Sequence, residues 1–201
     1  MLHHASVPDA IIGVDGRRSI YFVNGEPGLQ VIWVARDQEN GSFYIIECVK
    51  LNAAFNGNAV EPDVLLFPTG EVRMYYYEGY FVGESGPTDG LSSIFSATSS
   101  DGRQFEVDGL VLKVESGTDP SVISLPDGSF LMAISQSNQT VFVSSVNGLD
   151  FQLTGVSIEG EIPELAVMDD LSFRCFVTRN DIESYVQATM APPGLRKAVP
   201  A

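Results

Sequence analysis

The stretch TDPSVISLPDGSF (residues 118–130) contains a short apolar run, a Pro-Asp-Gly turn and the start of a second apolar run. Related stretches begin at Val7 (VPDAIIGVDGRRSIYFV), Glu61 (EPDVLLFPTGEVRMYYY) and Ile162 (IPELAVMDDLSFRCFVT). Two apolar runs rich in β-branched and aromatic residues, separated by such a turn, favour a β-hairpin. The chain therefore repeats one hairpin four times.

The four stretches align on a proline, and the positions after it repeat as well. The prolines are Pro8, Pro62, Pro120 and Pro163. Eight residues later stand three glycines and one exception, Gly16, Gly70, Gly128 and Leu171. Thirteen residues later stand Tyr21, Tyr75, Ala133 and Phe176. The common spacing indicates that the four hairpins share one construction.

A second turn follows the hairpin in at least two repeats. The pattern Ser-x-Asp/Asn-Gly-x-x-Phe occurs at residues 99–105 and 145–151. A degenerate copy, ARDQENGSF, keeps Asn40-Gly41 and Phe43 in the first repeat. The Asx side chain of such a turn can bond the backbone of its own loop. One repeat is then four strands in two successive hairpins.

The prolines are 54, 58 and 43 residues apart, and repeated four-stranded units of about 40–50 residues are typical of a β-propeller. We therefore predict an all-β propeller domain over residues 1–190, with four blades or an incomplete set of five. The Pro-rich tail, residues 191–201, cannot form a central strand. The outer strand of the fourth blade is then missing, unless residues 1–7 supply it as a closing strap.

The charge balance limits the classes of partner. Lys and Arg number 11 against 26 Asp and Glu, a formal net charge of −15, which repels phosphate backbones and argues against nucleic acid. No apolar run has the length of a membrane-spanning helix, so no membrane partner is expected. The first residues lack a signal-peptide pattern; the default expectation is cytoplasmic, the alternative a chain already trimmed at Met1.

Carboxylates flank the repeat proline in every blade. They are Asp9, Glu61, Asp63, Asp119, Glu161 and Glu164. The first strand of each propeller blade lines the central channel, so these residues would ring one mouth. Acidic turn residues beside proline are common, which is the competing explanation. A carboxylate ring suits glycosidic bond cleavage by a pair of carboxyl groups, or calcium bound through several oxygens.

Other side chains would contact a substrate at the same mouth. Arg73 and Arg174 each lie 11 residues after a proline. If they face the channel, they would pair with carboxylates or bind a ligand. If they face outward, they would be solvated. The remaining candidates for substrate contact are His4, Glu61 and Tyr75. No phosphate-binding loop, dinucleotide fingerprint, zinc spacing or Ser-His-Asp pattern is recognisable, so no cofactor is predicted beyond calcium in the channel.

Two blade openings carry a family resemblance. The stretch DPSVI (residues 119–123), with the turn at 126–128, resembles the blade openings of the five-bladed propeller glycosidases, the arabinanase, β-xylosidase and fructosidase superfamily. So does EPDV (residues 61–64), with the tyrosines at 75–77. The Ser-x-Asp-Gly-x-x-Phe turns are similar to those blades and to the Asp boxes of sialidases. The resemblance covers about residues 7–187.

The resemblance implies three carboxylates from different blades: an Asp base or nucleophile, an orienting Asp and a Glu acid. By position, Asp9 would be the base, Asp63 or Asp119 the orienting residue, and Glu161 or Glu164 the acid. This chain departs from the pattern, because the family's Asp usually precedes the proline. That holds at Asp119, whereas Val7 stands there in the first blade.

The family's acid often lies in a Glu-Gly-Pro context, whereas here Glu159-Gly160 is followed by Glu161 and Ile162. The sequence therefore predicts a glycosidase-like propeller that acts on carbohydrate through carboxylates at the channel mouth. The alternative is a non-catalytic propeller that binds a glycan, a cation or a protein at the same place.

Overall fold

The computed structural model describes residues 5–25, 31–38, 42–52, 59–78, 90–170, 172–179 and 182–188. All regular structure in these ranges is β-strand, which confirms the predicted all-β class. Within them no helix is long and apolar enough to cross a membrane. The chain divides into two compact units, residues 1–110 and 111–201.

The first unit holds two antiparallel sheets, each a blade with its strands in chain order. The first blade consists of β1 (Ala5–Ile12), β2 (Arg18–Asn24), β3 (Ile32–Asp37) and β4 (Phe43–Cys48). The second consists of β6 (Ala59–Leu66), β7 (Val72–Glu78), β8 (Leu91–Ser99) and β9 (Gln104–Glu115), with the short β5 (Lys50–Leu51) parallel to β9.

The second unit holds two further sheets. The third blade consists of β10 (Gly117–Ser124), β11 (Phe130–Gln136), β12 (Gln139–Ser145) and β13 (Gln152–Glu159). The fourth consists of β14 (Glu161–Val167), β15 (Phe173–Arg179) and β16 (Ile182–Ala188), three strands within the described residues. Ala5 and Ser6, part of the segment predicted as a closing strap, pair with Asn24 and Val23 in the first blade.

The turn of each inner hairpin has the same hydrogen bonds. The amide that opens the turn donates to the carbonyl four residues later, just before the second strand begins: Gly13 to Arg17 (2.8 Å), Phe67 to Glu71 (2.9 Å) and Leu125 to Ser129 (2.8 Å). Gly16, Gly70 and Gly128 have φ of 75°, 87° and 84°. Glycine adopts this conformation without steric cost, which explains its recurrence eight residues after the proline. Leu171 lies outside the described residues.

The Ser-x-Asp/Asn-Gly turns are alike in the second and third blades. In the second, Ser99 Oγ accepts the Gly102 amide (2.9 Å) and Asp101 Oδ1 accepts the Arg103 amide (2.8 Å). In the third, Ser145 Oγ accepts the Gly148 amide (3.0 Å) and Asn147 Oδ1 accepts the Leu149 amide (2.8 Å). Asp and Asn both serve because the side-chain oxygen accepts these backbone amides; in the third blade the Asn147 Nδ2 group also donates to Asp150 Oδ2 (3.2 Å).

Each inner strand contains a β-bulge at its proline. In all four blades two residues, the proline and the one before it, face a single residue of the next strand. The residue before the proline has a left-handed backbone, with φ of 43° at Val7, 54° at Glu61, 51° at Asp119 and 52° at Ile162. Proline has no amide hydrogen for the ladder, and the bulge removes the need for one.

Inside each unit, one blade binds the next through the residue after its proline. In the first unit Asp9 Oδ2 accepts the Val64 amide (2.6 Å), and in the second Ser121 Oγ accepts the Leu165 amide (2.9 Å). Val64 shares a core with Tyr21, and Leu165 shares a core with Ala133. These contacts join the inner strands within each unit.

The turn after β8 provides a test of the contact between the first two blades. A Cβ at Gly102 would lie 2.6 Å from Tyr21 Oη, whose hydroxyl donates to the Gly102 carbonyl (2.8 Å). Gly128 has a left-handed backbone, and an added Cβ would lie in open space. We expect Gly128→Ala to lower the free energy of unfolding by about 1–2 kcal/mol. Gly102→Ala should cost about 1–3 kcal/mol more, because it also displaces a buried hydrogen bond. Chemical denaturation measures both, and equal costs would show that Tyr21 does not depend on this turn.

Candidate active site on the inner strands

The six carboxylates predicted from the repeat occupy three different positions around the bulge. Asp9, Asp63 and Glu164 follow the proline, Glu61 and Asp119 precede it, and Glu161 lies two residues before it. Ser121 stands after the proline in the third blade. Asp9, Glu61 and Asp63 belong to the first unit, and the others belong to the second.

Asp9 is half-buried on β1 and touches the second blade. Its Oδ2 accepts the Val64 amide and its Oδ1 accepts the Ala10 amide, each at 2.6 Å. Burial raises the pKa of this carboxyl from 3.8 to about 6, although both backbone amides oppose the rise. The group therefore changes protonation state near neutral pH, where general bases operate.

Asp63 is 5% exposed on β6, the neighbouring inner strand, and immediately precedes Val64. Across the hairpin it faces Tyr75. The structure thus brings two candidate carboxylates, those of Asp9 and Asp63, onto adjacent inner strands of the first unit. Glu61, in the bulge of β6 two residues before Asp63, is half-buried.

Tyr75 is fully buried. Burial raises the pKa of its hydroxyl to about 12, and the Arg73 guanidinium, hydrogen-bonded to that hydroxyl, opposes the rise. A sugar could contact the Tyr75 ring only after the side chains around it moved.

Arg73 is engaged on the face of the second blade opposite to Met74 and Tyr76. Its side chain is 14% exposed, with Nε 3.9 Å from Asp108 Oδ2 and Cζ 5.2 Å from the Phe67 ring centre. Asp108 in turn accepts hydrogen bonds from Ser96 Oγ (2.8 Å) and Thr98 Oγ1 (3.2 Å). The carboxylate beside Arg73 is therefore Asp108 on the outer strand β9, which is not one of the proline-flanking carboxylates predicted as its partners; pairing with those stays a prediction.

The proline alignment does not identify Asp108 as a candidate carboxylate, because Asp108 lies on the outer strand β9, far along the chain from the repeat proline. Only the register of β7 on β8, which pairs Arg73 with Thr98, shows that this face of the sheet is polar. A strand alignment that included β9 would be needed to find it from sequence.

In the second unit, the Asp119 carboxylate bonds its neighbour in the chain, and the Glu161 carboxylate bonds the turn between β11 and β12. Asp119 Oδ2 accepts the Thr118 hydroxyl (2.8 Å), and Glu161 Oε1 accepts the Asn138 amide (3.1 Å). Glu161 lies two residues before Pro163, the spacing of Glu-Gly-Pro. Ile162, between them, has the left-handed φ of 52° that glycine adopts readily. Whether Glu161 or Glu164 would serve as the acid stays a prediction.

Glu164 and Arg174 lie on the fourth blade. Glu164 is exposed and faces Phe176 across the hairpin. Arg174 is half-buried on β15, opposite Ala166. The hydrogen bonds from Ser172 lower the pKa of Asp170, and the charge of Arg174 adds a smaller contribution in the same direction. Their roles toward a substrate stay predictions.

Two predictions concern other chemistry. His4 lies outside the described residues. Among the residues that the structure describes, no group of three or more His, Cys, Asp or Glu side chains is placed to hold a metal ion, and calcium in the channel stays a prediction.

Cys48 and Cys175 are free thiols; burial raises the pKa of Cys175 to about 12, which disfavours thiolate chemistry.

A polar pocket of about 640 Å³ lies elsewhere in the first unit. Its lining includes Glu71 from the β6–β7 turn, Asp101 from the β8–β9 turn and Lys50 from β5. Asp9, Glu61 and Asp63 are not among its lining residues, so this pocket is separate from those inner-strand carboxylates.

Comparison with known proteins identifies the fold. No family model matches the sequence, and no curated protein matches it. Solved structures do match over nearly the whole chain. A thermostable family-43 glycoside hydrolase is 13% identical, with a TM-score of 0.71 over 95% of this chain and 73% of its own. An α-L-arabinofuranosidase from Clostridium thermocellum is 14% identical, with a TM-score of 0.67 over 97% and 72%.

A family-117 glycoside hydrolase from the marine bacterium Zobellia galactanivorans is 13% identical, with a TM-score of 0.69 over 98% of this chain and 69% of its own. These neighbours are five-bladed β-propellers. At such identities the likeness concerns the fold alone. It confirms the β-propeller class predicted from the repeat and the resemblance to propeller glycosidases at the level of fold.

Proposed function

We propose that this protein is a glycoside hydrolase-like propeller that cleaves a carbohydrate with carboxylates of its inner strands. One observation carries the proposal: Asp9 and Ser121 perform the same structural task, since each accepts a backbone amide of the next inner strand. Ser121 does so with a neutral hydroxyl, whereas Asp9 does so with an ionisable carboxyl whose ionised form is disfavoured by burial. A charge retained where a hydroxyl suffices suggests a chemical role. The glycoside hydrolase neighbours support the same class.

The roles follow from the environment of each group. Asp9, with a pKa near 6, serves as the base that activates water or attacks the sugar. Asp63, on the adjacent strand, orients that group. In the second unit Asp119 remains the alternative orienting residue, and Glu161, with Glu164 as alternative, is the proposed acid. Glu61, Arg73, Tyr75, Arg174 and His4 remain proposed contacts or supports of the bound sugar.

A binding-only propeller is the second candidate, and a specific observation favours it. Val7 occupies the bulge position at which Asp119 and Glu61 carry carboxylates, so the first blade lacks an acid there. If Asp9 is only an acceptor for the Val64 amide, the protein binds a glycan, cation or protein without turnover.

We expect the purified chain to release reducing sugar from at least one member of a panel of arabino-, xylo-, fructo-, manno- and sialo-oligosaccharides. Asp9→Asn and Asp63→Asn should each lower kcat by about 10²–10⁴-fold, because they remove proton transfer or its orientation. Asn preserves the shape of Asp, and at position 9 its amide oxygen still accepts the Val64 amide, whereas its NH2 group cannot accept the Ala10 amide and that bond is lost.

Asp127→Asn is the matched control, since Asp127 is an exposed carboxylate that bonds only within its own turn; it should leave kcat unchanged. Activity that survives both site changes would refute these assignments. Silence of the wild-type chain across the panel, together with thermal stabilisation by one of the same sugars, would establish the binding-only candidate.

The raised pKa of Asp9 also predicts the pH dependence of stability. Because the folded protein holds this proton up to about pH 6 and the unfolded chain releases it near 3.8, the folded state binds more protons in that window. The group's contribution to stability is therefore full below pH 3.8 and is lost as pH rises through 6. Asp9→Asn loses the Ala10 hydrogen bond at every pH, but we expect its stability relative to the wild-type protein to rise by about 1–3 kcal/mol between pH 4 and pH 8.

The free energy of unfolding, measured for both proteins between pH 4 and 8, checks this sign. Carboxyls with a lowered pKa, such as Asp127 and Asp170, give the opposite slope at acid pH, but they are the same in both proteins and cancel in the difference. A difference that is flat with pH would mean that Asp9 titrates normally, and the observation that carries the proposed function would fail.

A further inference from the structure

The turns after β8 and β12 each contain a pair of residues that can react with its own backbone. The pairs are Asp101-Gly102 and Asn147-Gly148. The backbone nitrogen of a residue that follows Asp or Asn can attack the side-chain carbonyl carbon, and glycine hinders this attack least because it has no side chain. In a flexible chain both pairs would therefore be sites of chemical modification.

The reaction at Asn147 has two steps. The Gly148 amide loses its proton, its nitrogen bonds to Asn147 Cγ, and the bond from Cγ to Nδ2 breaks, so that ammonia leaves with that proton. Water then opens the cyclic imide at one of its two carbonyl carbons and leaves either aspartate or isoaspartate. Isoaspartate inserts an additional carbon into the backbone of the turn that joins β12 to β13.

The folded turn directs the Gly148 amide away from this reaction. Its N–H donates to Ser145 Oγ (3.0 Å), so the electron pair left by loss of the proton would point at the serine oxygen rather than at a side-chain carbon. Gly148 is buried although Asn147 is exposed, and burial disfavours a negatively charged nitrogen. Asn147 Oδ1 also accepts the amides of Leu149 (2.8 Å) and Asp150 (3.1 Å), which fixes the carboxamide over the turn.

The second blade repeats this arrangement at its own pair. Gly102 is buried, and its N–H donates to Ser99 Oγ (2.9 Å). Asp101 Oδ1 accepts the amides of Arg103 (2.8 Å) and Gln104 (2.9 Å). The two turns differ in the reactive side chain, yet each has a serine hydroxyl that accepts the amide of the attacking residue. This bond engages the nucleophile in both turns.

We propose that Asn147 is a latent deamidation site, which the hydroxyl of Ser145 keeps unreactive in the folded protein. Ser99 acts in the same way on Asp101, where water rather than ammonia would leave as the imide forms and the product would be isoaspartate. This inference is independent of the proposed carbohydrate chemistry, because it rests on the hydrogen bonds of the two turns alone.

Peptide mass spectrometry of the full chain, after incubation at mildly alkaline pH, tests the proposal. Asn147 should deamidate more slowly in the folded protein than in the same chain unfolded in guanidinium chloride. Ser145→Ala should raise the rate in the folded protein by about tenfold, which corresponds to the loss of one hydrogen bond. Ser144→Ala is the matched control, because Ser144 is exposed on the same strand and its loss should leave the rate unchanged.

Circular dichroism and chemical denaturation establish whether Ser145→Ala is folded. Two results would overturn the proposal. One is a folded wild-type protein that deamidates at Asn147 as fast as the unfolded chain, and the other is a folded Ser145→Ala protein that reacts at the wild-type rate. Ser99→Ala is the second variant, and it should accelerate the formation of isoaspartate at Asp101.

If neither serine variant folds, the wild-type protein provides the test. Exchange of the Gly148 amide hydrogen reports opening of its bond to Ser145. As denaturant is added below the unfolding transition, this exchange and the deamidation of Asn147 should rise together. Deamidation that stays constant while the exchange accelerates would show that the serine bond does not control the reaction.

Discussion

Every blade depends on one costly backbone conformation, a left-handed residue directly before proline. Val7 and Ile162 are β-branched, and such residues adopt positive φ rarely and at a cost of about 1–3 kcal/mol. The bulge that contains them lets proline, which has no amide hydrogen, lie within a paired strand. It also sets which way the following side chain points, so that Asp9 and Ser121 each reach the next inner strand.

Much of this architecture could be predicted from the sequence, because tight turns demand particular residues. Glycine eight residues after the proline marks the hairpin turn, and the Ser-x-Asx-Gly pattern marks the second turn, where Ser99 and Ser145 make the same bonds. Both signals are local and depend on backbone geometry. For the same reason the strands, their order within each blade and the β-propeller class followed from spacing alone.

The candidate site was less predictable, since its geometry depends on register. The proline alignment treats all flanking carboxylates as one ring, yet the bulge separates them into three positions with different directions and burial. Asp63 is 5% exposed and Glu164 is exposed, although both follow a proline. The Asp108 carboxylate beside Arg73 lies on an outer strand, and only the pairing across three strands brings it there.

The comparison of Asp9 with Ser121 distinguishes what the fold requires at this position from what it does not require. Both residues accept one amide from the next inner strand, so the fold requires an acceptor at this position and does not require a charge. A buried carboxylate costs more than a hydroxyl in that role, because ionisation is opposed by desolvation. Selection for stability alone would favour the serine of the third blade. Under the proposed function, the carboxyl of the first blade, with its pKa near 6, is the position at which function and stability would conflict.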